Sequence, residues 1–284
     1  MTQEAAPSDS RRALAVFFRN PLVIIGIVIL IGWLFVGLFV EQLAPANPLA
    51  QNVNVRLTPP GSAFLFGTDE LGRDIFSRVL HGTRLTAPAG IAVVLFGSVV
   101  GLLVGAVAGF AGGLWDELFM RIAELFMAFP TIILALAITA ALGPDIRNAI
   151  LALVIVWWPS YARLVRGMVL EVKNREFVEG TRSIGAGPVY LLFRTVLPNC
   201  LAPAIILATL DIGSAILTFA GLSFLGLGPD PTSPEWGRMV SIGIDFYDQW
   251  WMWLFPGMAI ASLVMAFNFI GDGLRDILDP RMRK

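Results

Sequence analysis

RLVRGMVLEVKNREFVEGTRSIGAGPVYLLFRTVLPN, running from Arg163 to Asn199, is the one sizeable charged island between the apolar blocks of this 284-residue chain. Apolar segments flank it on both sides, which makes it a loop at a membrane face. Its pattern is too regular for a plain tether. Phe177, Thr181 and Ile184 recur at i, i+4 and i+7, one face of a short helix, and Glu176, Glu179 and Arg182 occupy its other faces. Gly185 and Gly187 break that helix, and Pro188 stands where a second one would start. A helix, a glycine corner and a second helix predict a structured knob suited to docking on something in the aqueous phase.

The blocks around the island set the fold class. Hydrophobic residues make up 56% of the chain and charged residues 14%, against about 45–50% and 25% in an ordinary soluble domain. The mean hydropathy is +0.75. Several apolar runs reach the ~20 residues that cross ~30 Å of hydrocarbon. The expected fold is an all-α polytopic membrane protein with six transmembrane helices, at about 21–40, 85–110, 118–142, 148–166, 200–225 and 250–271. The island's loop covers 171–198. Residues 1–84 are expected as an N-terminal region, 85–274 as the main membrane domain and 275–284 as a tail. The first apolar run, Pro21 to Val40, exceeds the ~7–15 residues of a signal-peptide core and is expected as an anchored helix.

Local expectations follow from spacing. Thr68 or Asp69 can cap a short helix before Arg84, with Asp74 and Arg78 paired at i, i+4. Gly97, Gly101, Gly105 and Gly109 recur every four residues, a bare face that lets another helix approach closely. Glu117, Arg121 and Glu124 can pair at i, i+4 and i, i+3, and Pro130 should kink the third span. Asp230, Glu235, Asp245 and Asp248 give the loop after the fifth span an acidic surface. Trp236, Trp250, Trp251 and Trp253 read as interfacial anchors. Asp211 is the exception inside a span, roughly 16 Å deep by helical rise. A carboxylate there costs about 2.5–3.5 kcal/mol, so it either faces a substrate pathway or pairs with a polar group on a neighbouring helix.

Charge distribution sets orientation. Of the 20 lysines and arginines, fourteen fall on the side of the island and both tails and six on the other, so the island and both termini are expected in the cytoplasm. Several chemistries are excluded. One cysteine, Cys200, cannot form an internal disulfide, and one histidine, His81, cannot build a zinc site or pair with a nearby thiol. A P-loop requires Gly-Lys followed by Ser or Thr, but Lys173 follows Val172 and Lys284 follows Arg283. No ATPase, metal or cofactor site is expected in the chain. A secondary transporter or channel would want intramembrane ion relays, where Asp211 is nearly alone.

Glu179-Gly180-Thr181, three residues, Gly185, nine residues, Thr195 and then Leu197-Pro198 resembles the EAA loop of ABC-importer permeases. Gly180 and Thr181 replace the two alanines, and Thr195 replaces an isoleucine. FGTDELGRD from Phe66, DELFMRIAELFMAFP from Asp116, WWPSYARLVRG from Trp157, AGLSFLGLG from Ala220 and the ending NFIGDGLRDILDPR resemble the peptide/nickel branch, in particular its "C" permease. That resemblance implies a type I ABC importer transmembrane domain in a bacterial or archaeal cytoplasmic membrane. It implies a second homologous permease, two cytoplasmic ATPase subunits that carry ATP and magnesium, and an extracytoplasmic binding protein. It makes the helix around Glu176, Glu179, Gly180, Thr181, Arg182, Gly185 and Ala186 the coupling helix seated on an ATPase. Substrates across the branch include dipeptides, oligopeptides, glutathione-like peptides, nickel chelates and oligosaccharides.

Overall fold

The computed structural model describes residues 17–278. Arg11, Arg12, Arg281, Arg283 and Lys284, which enter the charge count above, lie outside them. Among the described residues, and beside a single 3-10 turn at Val53–Val55, nine helices follow in order: α1 (Pro21–Leu43), α2 (Ile75–Ala111), α3 (Gly113–Met127), α4 (Thr131–Leu142), α5 (Ile146–Val172), α6 (Glu176–Ser183), α7 (Pro188–Phe224), α8 (Trp236–Asp245) and α9 (Trp251–Leu278). Five of them, α1, α2, α5, α7 and α9, are long and apolar enough to cross a membrane, and the bent pair α3–α4 makes a sixth span if counted as one.

Helix α1 begins at Pro21, with the Asn20 side chain accepting from the Leu22 amide at 3.0 Å. Its outward residues, among them Val28, Leu34 and Leu38, stay exposed, as a lipid-facing helix requires. Gly26 brings it against α9, where a β-carbon would stand 2.8 Å from the Ala266 carbonyl oxygen. The Trp33 indole also donates to the Ser262 hydroxyl at 2.9 Å.

The glycine stripe of α2 packs as its spacing predicts. Gly97 faces Trp157, Gly101 faces Trp158 and Tyr161, Gly105 faces Ala162, and Gly109 faces Val169, all on α5. A β-carbon at Gly101 or Gly105 would overlap the α5 backbone, so the two long helices approach closely with no α2 side chain between them. Behind this seam, Val93, Leu153, Phe219 and Leu222 form the middle of the core.

Several local expectations are corrected. The helix before Arg84 is the first part of α2 itself, and Asp74 caps it by accepting from the Ser77 amide at 2.8 Å. Asp74 therefore does not pair with Arg78. Thr68 and Asp69 sit in the preceding turn, where the Asp69 carboxylate accepts from the Leu71 and Arg73 amides. Pro130 does more than kink the third span, since α3 and α4 meet at 92°. The missing proline N–H and the extended backbone of Pro130 end one helix and start another. Arg121 pairs with Glu124 at 3.1 Å and not with Glu117.

Helix α7 starts irregularly. After Pro188 it runs through a π-helical stretch at Leu191–Val196 and a 3-10 stretch at Leu197–Cys200, and becomes regular from Leu201.

Candidate functional site: the knob and the pathway helices

At one end of the bundle α5 runs on past the apolar zone to carry the knob. Lys173, just after α5, donates to the Gly109 carbonyl at 2.7 Å. That bond satisfies an orphan carbonyl in the last turn of α2 and places a cation at the negative end of its dipole. Arg166 grips Asp116 of α3 through two bonds of 2.6 and 2.7 Å, which ties the start of the broken span to α5.

Helix α6 carries Glu176 and Glu179 in its first turn and Arg182 in its last, each sign matching the nearer dipole end. Val178 is its one buried residue, and it plugs into Val165, Val169, Leu191, Val196 and Cys200. The predicted Phe177–Thr181–Ile184 face turns the other way, and Ile184 is 85% exposed. The helix ends in a Schellman arrangement, with the Ala186 amide donating to the Thr181 carbonyl and the Gly185 amide to the Arg182 carbonyl. Gly185 has φ +91 and nothing within 4 Å of a β-carbon, so backbone conformation and not crowding calls for glycine there. Gly180 is equally open, and Ala186 packs back against the Val178 cluster. Pro188 then starts α7, leaving Val189 and Tyr190 exposed. The knob thus leaves Phe177, Ile184, Val189 and Tyr190 exposed together with Glu176, Glu179 and Arg182. Exposed large apolar side chains mixed with charged ones are the composition of a protein docking surface.

Asp211 lies on α7 far from the knob's surface. Its Oδ2 accepts from the Tyr161 hydroxyl at 2.8 Å and the Trp157 indole at 3.1 Å, both on α5. Its protein partners are neutral donors on a neighbouring helix.

The opposite end holds a network that sequence reasoning missed. Glu235 was expected on an acidic surface, and it is wholly buried as the N-cap of α8. It accepts from the Thr86 hydroxyl at 3.1 Å, the Gly237 amide at 3.0 Å, the Arg238 amide at 2.8 Å and the Ser223 hydroxyl. Burial pushes its carboxyl above the ordinary glutamate value, against the opposing pull of these donors. Trp236 and Trp251 are likewise buried and not interfacial; the Trp251 indole donates to the Thr68 carbonyl at 3.1 Å. Arg78 is buried too, and donates to the carbonyls of Pro48, Thr232 and Ser233 while lying 3.6 Å from Asp69. Asp69 also bonds Arg73 at 2.6 Å, and burial with the adjacent Asp69 charge raises the Glu70 carboxyl. The two loops at this end are therefore one packed cap. The one sequence signal for it is the run Pro234-Glu235-Trp236-Gly237, an acceptor placed just before a helix.

Residues 101–284 match the family described as binding-protein-dependent transport system inner membrane component, and residues 8–60 match the N-terminal TM domain of oligopeptide transport permease C. The di/tripeptide transport system permease protein DppC of Pseudomonas aeruginosa is 42% identical over 284 residues, covering 98% of this chain and 94% of that protein. The probable D,D-dipeptide transport system permease protein DdpC of Escherichia coli is 44% identical over 263 residues, covering 92% and 88%. A chain of the inward-facing MetNI methionine ABC transporter superposes with a TM-score of 0.58 at 22% identity, over 70% of this chain and 96% of that one. This last likeness is one of fold, that of a type I ABC importer transmembrane domain. Matched along most of its length by one family model and from end to end by curated relatives, this chain belongs to the binding-protein-dependent transport system inner membrane components.

Proposed function

We propose that this chain is one of two permease subunits of an ATP-driven importer that carries di- or oligopeptides delivered by an extracytoplasmic binding protein. The relatives named for dipeptide and tripeptide transport support the substrate class. The observation that carries the coupling role is the knob. It is an eight-residue helix, capped by the Gly185 turn and plugged in by Val178 alone, that presents Phe177, Ile184, Val189 and Tyr190 outward. Such a rigid, shallowly anchored helix moves as a lever on the bundle when a partner grips it.

In this reading the knob and both termini lie in the cytoplasm of a bacterial or archaeal cell, and the packed cap faces outward. ATP and magnesium bind two partner ATPase subunits, and this chain supplies no hydrolytic group. One ATPase holds Glu176, Glu179, Gly180, Thr181, Arg182, Gly185 and Ala186 in a groove. Its closure on ATP drags α6, and through Val178 the ends of α5 and α7. The bundle responds as a two-state element biased by the partner.

The test is to reconstitute the full importer in liposomes and follow dipeptide uptake together with ATP hydrolysis stimulated by loaded binding protein. Gly185→Trp and Glu179→Lys are expected to leave the chain inserted and assembled while hydrolysis no longer drives uptake. Normal coupling in both variants would overturn this assignment of the knob.

A further inference from the structure

Asp211 sits midway along the regular part of α7, about 15 Å from Leu201 by helical rise. Both of its protein donors, the Trp157 indole and the Tyr161 hydroxyl, bond Oδ2. Among the described residues no hydrogen bond or ion pair reaches Oδ1, and the residue is partly exposed. It does not stand alone on that surface. Ser214, three residues further along α7, is exposed. Across on α9 Asn268 is exposed as well, with its amide oxygen packed where a β-carbon on Gly213 would come within 2.8 Å. A carboxylate and a hydroxyl at i and i+3 thus share one side of α7 in the apolar middle of a span, while the Asn268 carboxamide of α9 packs against Gly213 further round the helix. Hydrocarbon is a costly neighbour for such groups, above all for the carboxylate. We read their side of α7 as the one that faces the pathway in the assembled importer.

We infer that Asp211 is a specificity-determining residue, whose unpartnered Oδ1 receives the ammonium group of the passing peptide. This rests on the peptide-import reading above. Trp157 and Tyr161 hold the carboxylate in one orientation through Oδ2, so Oδ1 projects as a fixed acceptor. No second acidic group stands beside it to build a metal site; among the described residues no cluster of three metal-ligating side chains occurs. One fixed negative charge in a low-dielectric wall suits a single compact cation, and every unmodified peptide carries one at its N-terminus at neutral pH. Ser214 offers a neutral hydrogen bond to the peptide amides beside it.

The test compares uptake of alanyl-alanine and N-acetyl-alanyl-alanine by the reconstituted importer, using the same binding protein throughout so that any change in preference comes from the permease. Asp211→Asn keeps an oxygen for Trp157 and Tyr161 but removes the charge. It is expected to lower alanyl-alanine uptake about tenfold, the loss of one charge-assisted bond, with acetylated-peptide uptake and stimulated ATP hydrolysis unchanged. Asp211→Glu is expected to keep the wild-type preference. Equal loss of both peptides would assign Asp211 to subunit packing and overturn the inference, as would no loss of either. Should Asp211→Asn not assemble, Ser214→Asp adds a carboxylate on the same side of α7 and is expected to raise the preference for the free amine several-fold; an unchanged preference overturns the inference. If the wild-type importer moves no dipeptide at all, the peptide-import reading falls and this inference with it. Normal wild-type import with unchanged variants defeats the inference alone.

Discussion

The indole N–H of Trp236 donates to the carbonyl of Val79 across 2.8 Å, joining positions 157 residues apart in the chain. Trp236 also lies against Trp33 of α1, with ring centroids 4.9 Å apart, and stands over Gly82 so closely that a β-carbon there would overlap its ring. One buried side chain thus clamps the loop before α8 to the first turns of α2 and to α1.

Gly82→Ala should therefore destabilise the protein by about 1–3 kcal/mol through overpacking against Trp236 and the Pro234 carbonyl. Trp236→Ala should cost about 3–5 kcal/mol by opening a cavity. Thermal unfolding in detergent reads both. A Trp236→Ala protein that melts with the wild type would show that the clamp contributes nothing.

Glu235 gives stability a pH dependence of defined sign. Its folded-state carboxyl titrates above the ordinary value of 4.5, because burial disfavours the charge. The folded chain then keeps the proton at a pH where the unfolded chain has lost it. Its contribution is most favourable below the unfolded value and declines as pH rises from there through the raised folded value. The wild-type melting temperature should fall over that window relative to a Glu235→Gln variant, which cannot ionise. Parallel pH profiles for the two proteins would refute the assignment. Glu235→Ala is expected to lower stability at every pH by about 1–3 kcal/mol or more, since buried donors on Thr86, Ser223 and Gly237 lose their acceptor.

The seam between α2 and α5 tolerates no side chain on the α2 side. Gly101→Leu or Gly105→Val should prevent the helices from closing, and the variant should be recovered in small amounts and digested by protease at low concentration. Gly167→Ala lies on α5 with nothing within 4 Å of a β-carbon and is the matched control. It should behave as the wild type in the same protease titration.

At the knob, Gly185→Ala adds a side chain in open space but strains a left-handed backbone, at a cost of about 1–2 kcal/mol. Gly187 has no such constraint, so Gly187→Ala should be silent. The expected outcome is fewer peptides moved per ATP hydrolysed for Gly185→Ala and an unchanged ratio for Gly187→Ala. Equal ratios in both would argue that the Gly185 turn does not set the helix direction.

Sequence periodicity carried the spans, the glycine seam and the knob, because each depends on local spacing. Glycines every fourth residue can only make a bare helix face, and Gly185, Gly187 and Pro188 punctuate the chain whatever surrounds them. The cap was not legible for the opposite reason. Whether Arg78 or Trp251 meets water depends on the segment before α2 folding over them, and whether Glu235 or Trp236 does depends on α1, α2 and α7 closing around them, tertiary facts with no period. Charged and tryptophan-bearing loop residues are exposed more often than not, and that expectation failed where loop packed upon loop. Asp211 falls between the two cases. Its presence inside a span was plain from the sequence, but its aromatic partners lie 50 and 54 residues away on another helix.

The irregular start of α7 bears on how far a push on the knob can travel. An α-helix advances about 100° per residue, and a π-helical turn holds one residue more than an α-helical turn would. Taking up or releasing that residue between Leu191 and Val196 would swing everything beyond it about its own axis by roughly that angle. The 3-10 stretch through Pro198 is wound more tightly than an α-helix, so slack and tension sit side by side directly behind α6. A short thrust at one end could thus be delivered as a rotation, turning Asp211 and Ser214 toward or away from whatever stands between the helices.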